Sequence, residues 1–344
     1  MLRAGRHLSL HLGGALGAVV VACAVPALIA RLLGARWPLL VVAVAVLVVL
    51  AFATTFVWKV LRWMRAPVAF RIPLTVGQQK SIASVSHSRG GNPHSAGGVL
   101  LRVFLDIVLF RPLFRATPTA PGTARGLSHG MGRWLWFMAV TFHASLLIIV
   151  LRHLRLFLSP VPALVAVLER FDVATEMVLP KVHLTSVVFP LALLLLLGRR
   201  LLLMRVRYIS LAADYFPLLL MLAIASTGLV MRHVARTDVI SVKQAIMGLS
   251  TWAPASTSRP DIWLVIHVFL VGVLLVYFPL SKLMHMPGVL LSPTLTMANS
   301  NRERRHINPR NPDVVTMHYA DYEDVFRDRM IEAGLPVEKA SQGK

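Results

Sequence analysis

A chain of 344 residues that is 56% hydrophobic and only 15% charged, with a mean hydropathy of +0.68, is too apolar to be an ordinary water-soluble domain. Its net charge of +21 invites a nucleic-acid role, yet the positive residues lie beside apolar runs, where membrane insertion and anionic lipid account for them. The single cysteine, Cys23, sits inside an apolar run, which excludes a disulfide, covalently attached haem and any thiolate-held zinc or iron–sulfur centre.

Crossing the hydrocarbon core takes about 20 apolar residues, and six windows meet that length at 12–33, 37–58, 134–151, 182–203, 211–231 and 262–283. Lipid offers no partner for free backbone groups, and the runs lack strand alternation, so each is predicted helical. The expected fold is an all-α polytopic bundle of about six transmembrane helices with a four-helix core. Trp37, Trp58, Trp134, Trp136 and Trp263 fall at the predicted ends, where an amphipathic ring suits the headgroup layer.

In chain order, residues 1–60 form an N-terminal transmembrane hairpin. Its first span, preceded by Arg3 and Arg6, reads as a retained signal anchor, although Val21, Ala22, Cys23 and Ala24 give a cleavage-like pattern. Residues 61–132 form a basic loop. Within it, 99–110 reads as an interfacial helix with an Arg102–Asp106 i,i+4 pair, while 84–98 and 117–130 read as mobile. Residues 133–285 hold the four-helix core. Asp214, at the entry of the fifth span, is expected to pair with Arg205 or Arg207. The tail, 286–344, opens on a helix-stopping Met286-Pro287-Gly288 and carries a helix at 319–333 capped by Gly334.

Charge sets the predicted topology. The basic residues gather before the first span and after the second, fourth and sixth, whereas Glu169, Asp172, Glu176, Asp238 and Asp261 occupy the opposite loops. By the positive-inside rule both termini are cytoplasmic, in a multi-pass protein of the cytoplasmic (inner) membrane.

Of 13 histidines, His143, His153, His267 and His285 lie within or at the ends of the third and sixth spans. A lone intramembrane histidine bonded to a carbonyl is unremarkable chemically; four on two antiparallel helices point to metal ligation. The antiparallel course pairs His153 with His267 at the outer end and His143 with His285 at the inner end. The spacings, about 15 Å and about 27 Å along straight helices, do not match, and a kink at Pro279 is expected to absorb the difference. Two imidazoles per iron fill both axial positions of a haem and suit one-electron transfer. Arg152 and Arg155 either pair with the propionates of the outer haem or anchor at the interface.

Phe142-His143, Arg152-His153, Ile266-His267 and Leu283-Met284-His285 resemble the haem-ligand pattern of the NarI-type nitrate reductase gamma subunits. More closely, the chain resembles the DsrM-type membrane cytochromes b of the sulfite-reduction-associated Dsr complex, with their relatives HmeC and TmcC. The supporting runs are Ile72-Pro73-Leu74-Thr75-Val76-Gly77-Gln78-Gln79, Phe110-Arg111-Pro112-Leu113-Phe114-Arg115, the stretch from Arg207 to Phe216, and Arg305-His306-Ile307-Asn308-Pro309. The likeness covers roughly residues 60–340; the first span has no counterpart in the gamma subunits.

The resemblance implies two b-type haems with bis-histidine ligation, menaquinone or another quinone as exchangeable substrate near the outer haem, and a cytoplasmic iron–sulfur subunit of the DsrK, heterodisulfide-reductase-like type among other Dsr-complex partners. Electrons would pass between the quinone pool and that partner in dissimilatory sulfur metabolism. Lys181 and His183 are candidates for the quinone site, the alternative being a snorkelling lysine beside an interfacial histidine. The tail is expected to dock the partner or else to be solvated. A NarI-type nitrate reductase subunit, a haem-free membrane anchor and a transporter stand as alternative readings. No inverted repeat or pair of broken helices favours the transporter.

Overall fold

The computed structural model describes residues 2–33, 37–66, 78–115, 127–173, 182–250, 261–299 and 317–338. Among these, all regular structure is helical. The helices are α1 (Leu2–Leu33), α2 (Trp37–Arg65), α3 (Ala96–Val108), α4 (Arg111–Arg115), α5 (Leu127–His153), α6 (Ala163–Val173) and α7 (Leu184–Leu202). They continue with α8 (Met204–Ile209), α9 (Ala212–His233), α10 (Val239–Ser250), α11 (Ile262–Tyr277), α12 (His285–Leu290), α13 (Pro293–Thr296) and α14 (Tyr319–Glu332). Six of them, α1, α2, α5, α7, α9 and α11, contain stretches long and apolar enough to cross a membrane.

Four core helices pack in the order α5, α7, α9, α11, and α1 lies across α9 and α11. One core gathers Ala15, Val19 and Ala22 of α1 with Tyr215, Leu219 and Leu220 of α9 and Ile266 and Leu270 of α11. Small residues on α1 let its backbone approach, the usual device where lipid supplies no hydrophobic drive between helices. A second core joins Phe142 of α5, Phe189, Ala192 and Leu193 of α7 and Met221 of α9, with Phe142 and Phe189 stacked at 5.6 Å. Helix α2 leans on α11 and leaves Leu47 and Leu50 exposed, an outward apolar face that acyl chains would cover.

Several expectations change. Part of the segment 84–98 is packed: Asn92 and Pro93 are buried, and Asn299 donates its backbone N–H to the Pro93 carbonyl at 2.7 Å. The interfacial helix exists as α3, capped by Ser95 through the Gly98 N–H, and Arg102 turns inward. Its Nη2 donates to the carbonyls of Leu295 at 2.6 Å and Met297 at 3.0 Å, while Asp106 receives Arg111 Nε at 2.8 Å. The basic loop and the segment after α12 thus form one cap on the end of the bundle that carries His143 and His285. Residues 117–126 of the second stretch read as mobile lie outside the described residues.

Asp214 is taken by Lys282 at 2.7 Å, 68 positions along the chain, rather than by the expected Arg205 or Arg207. It also accepts the Leu211 backbone N–H at 3.0 Å, closing the first turn of α9. At the opposite end, α6 and α10, not foreseen from hydropathy, cover the loops between spans. The tail helix α14 forms as predicted, and Gly334 ends it with φ +68°. The Leu335 N–H returns to Met330 O at 2.8 Å, which is the reason glycine suits that position.

Candidate functional site

The sixth span breaks rather than kinks. Helix α11 ends at Tyr277, a 3-10 turn carries Pro279, Ser281 is fully extended, and a second 3-10 turn at Lys282–Met284 leads to His285. Proline lacks the N–H that would continue the ladder, and the Ser281 side chain captures the Leu283 N–H instead. Because an extended residue separates the two turns, they share no axis. His285 therefore returns towards the bundle, with its ring centroid 6.0 Å from that of His143.

Two imidazoles that far apart, facing at 87°, leave a gap of the right order for one metal, since metal–imidazole bonds run about 2.0–2.1 Å and each ring adds its own half-width. The second pair is His153 and His267, which lie within Coulomb range of one another. The structure thus sets His143 beside His285 and His267 within electrostatic reach of His153.

Their hydrogen bonds decide which nitrogen is available. His143 Nδ1 meets Ala139 O at 2.7 Å, His153 Nδ1 meets Ile149 O at 2.7 Å, and His285 Nδ1 meets Lys282 O at 3.0 Å. A carbonyl only accepts, so each Nδ1 carries the hydrogen and each Nε2 keeps its lone pair. His267 Nδ1 lies 2.9 Å from Thr227 Oγ1. That hydroxyl shares its proton between Ala223 O and Ile224 O at 3.0 and 2.9 Å, so its oxygen accepts from His267. In all four side chains Nδ1 is hydrogen-bonded, which leaves the lone pair on Nε2. Among the described residues no group of three or more His, Cys, Asp or Glu side chains assembles into a metal site; a bis-imidazole haem requires two.

Arg152 and Arg155 flank His153, and both are held by acids of α6. Arg152 pairs with Asp172, which is 4% exposed, and Asp172 also accepts the Thr185 backbone N–H at 2.8 Å and its hydroxyl at 2.7 Å. Arg155 pairs with Glu169 at 2.7 Å. One buried carboxylate therefore ties the end of α5 to the start of α7.

Lys181 lies outside the described residues. His183 is the N-cap residue of α7, ahead of the span, and is buried. Arg232 Nη1 donates to its Nε2 at 3.2 Å, which forces the hydrogen onto Nδ1, a buried donor with no hydrogen-bond partner among the described residues. Burial, with the Arg152 and Arg232 guanidiniums adding to it, pushes His183 down to about 4, so it stays neutral near pH 7.

Sequence reasoning passed over Thr227, Asp172, Arg232 and Phe110. Thr227 lies within a predicted span and Arg232 just past its end, and neither stood out because their partners, His267 and His183, are 40 and 49 positions away. Only the acid at 172, on the acid-bearing loop beside an intramembrane histidine, left a trace that charge pattern alone could have followed.

A family model described as the nitrate reductase gamma subunit matches residues 127–296, which contain all four histidines. Over 280 residues the chain is 37% identical to the Hdr-like menaquinol oxidoreductase cytochrome b-like subunit of Archaeoglobus fulgidus, covering 79% of this chain and 83% of that one. Over 272 residues it is 38% identical to the protein of the same description from Archaeoglobus profundus, covering 76% and 80%. With six membrane-length helices and the match across both histidine-bearing spans, the chain belongs to the nitrate reductase gamma-like family of cytochrome b-like subunits that these proteins represent.

Proposed function

We propose that the chain is the membrane cytochrome b subunit of a quinone oxidoreductase complex, holding one b-type haem between His143 and His285 and another between His153 and His267. The observation that carries this reading is the set of four imidazoles on two spans, each with Nδ1 engaged and so with its lone pair on Nε2, one pair of rings 6.0 Å apart. The naming of its relatives as menaquinol oxidoreductase subunits supports the quinone. Haem held by these histidines would supply reversible one-electron chemistry.

The protein's own groups do the rest. Carbonyls of Ala139, Ile149 and Lys282 and the hydroxyl of Thr227 hold the four ligands in one tautomer. The His183 Nδ1–H, aimed by Arg232, offers a hydrogen bond to a quinone carbonyl near the His153 pair, and Lys181 is the second donor of that site. Menaquinone is the expected quinone. The electrons pass to a cytoplasmic iron–sulfur subunit of the DsrK type, docked by the tail on the end that carries His143 and His285, in dissimilatory sulfur metabolism. The family model leaves a nitrate-reductase-type complex as the second reading for the partner.

An optical redox titration of the purified subunit, with haem quantified per chain, tests this. The expected result is a low-spin b-type spectrum, two haems per chain, two potentials, and a shift of the His153-side potential on adding a menaquinol analogue. A colourless protein isolated with haem in supply would end the proposal.

A further inference from the structure

Phe110 is a bulky side chain held at φ +49°. Residues with a Cβ seldom occupy this left-handed region, and large ones are outliers there. Such a conformation persists only where its surroundings over-determine it. Here they do so on both sides. The preceding carbonyl, Leu109 O, accepts Trp136 Nε1 at 2.7 Å, and Phe110 O accepts the N–H groups of Leu113 at 2.9 Å and Phe114 at 3.2 Å, opening α4. Arg111 is fixed by Asp106 at 2.8 Å and by Gly90 O at 2.6 Å.

A glycine would satisfy this turn without strain, so the demand for phenylalanine lies in its ring. That ring sits 4.8 Å from the His143 imidazole, tilted by 40°. On α5, Trp136 and His143 are seven residues and two turns apart, on one face. The loop runs along that face, with Phe114 against Trp136 at 5.0 Å and Phe110 against His143. Phe142 meets the same imidazole edge-on at 4.8 Å.

We propose that Phe110, from the loop between α3 and α4, is a positioning residue that sets the plane of the His143 imidazole and thereby the axial-ligand field and potential of the haem on the His143–His285 pair. The inference rests on the haem reading above. The loop tightened by Phe110 is the one joined to the Arg102 cap, so the same contact links that haem's properties to the end of the bundle where the partner docks.

The test compares native protein with Phe110→Leu and Phe110→Gly, each purified as the haem-loaded chain and read by EPR of the low-spin haems and by redox titration. A His153→Ala control assigns the signals by removing the other haem. Phe110→Leu is expected to retain both haems while shifting the g-max and midpoint of the His143-side haem alone. Phe110→Gly relieves the backbone, so its thermal midpoint should equal or exceed the native one while the same signal broadens or shifts. A purely structural aromatic would give the reverse, stability changes with an unmoved signal. Variants that bind both haems with native spectra and potentials overturn the role of Phe110 and leave the haem reading standing. Absence of haem from the native protein overturns both.

Discussion

A helical histidine can bond the second lone pair of the carbonyl one turn back and so has its tautomer chosen locally, as at His143, His153 and His285, where the acceptor lies three or four residues back. That part of the site was legible in the sequence, because any histidine in a helix has such a carbonyl beneath it. His267 is different. Its acceptor, Thr227, stands on α9, forty residues away, and nothing along the chain announces the pair. His183 has its own pH signature: its ordinary value is 6.5 and its folded value is about 4. Between these values the unfolded chain binds a proton that the folded chain does not, so stability rises with pH through the window and falls on acidification. Thermal unfolding of wild type and His183→Gln from pH 7 down to pH 4 should show a steeper loss for the wild type. Equal slopes would remove histidine burial as the cause.

At the level of elements, six spans and their approximate ends follow from hydropathy, because the bilayer fixes both length and backbone satisfaction. The short helices do not. Helices α6 and α10 are too short and too polar at their edges to stand out, and α6 matters mainly because it delivers Asp172 to Arg152 and Thr185. Pro279 was recognisable as a breaker, yet the extended Ser281 behind it was not. Together they shorten the path from His267 to His285 and bring His285 to 6.0 Å from His143. A Pro279→Ala, Ser281→Ala protein, in which the helix can run on, is expected to keep the haem on the His153 pair and lose the other. Haem per chain should fall from two towards one. Two intact haems would show that the break is not what brings the ligands together.

Across the whole molecule, the charge pattern and six spans predict that Leu2 and the tail helix α14 share one side of the membrane. Reporter domains fused separately to the two ends should both give a cytoplasmic signal, and opposite signals would require a different count of spans. The same scale shows why charge misleads when read alone. Arg102 counts as one more loop positive charge, yet it is 1% exposed and stitches the loop after α2 to the segment after α12. Asp214 looked like a partner for its arginine neighbours, yet it meets Lys282 across 68 positions.

What the sequence by itself determined was membrane class and the number of membrane-length spans, since these depend on apolar length and on backbone satisfaction in lipid. What only the tertiary structure decided was the second set of partners: Thr227 for His267, Asp172 for Arg152, Arg232 for His183 and Phe110 for His143. Those contacts depend on how helices rotate and where a chain breaks, which the packing of distant side chains sets and local preference does not.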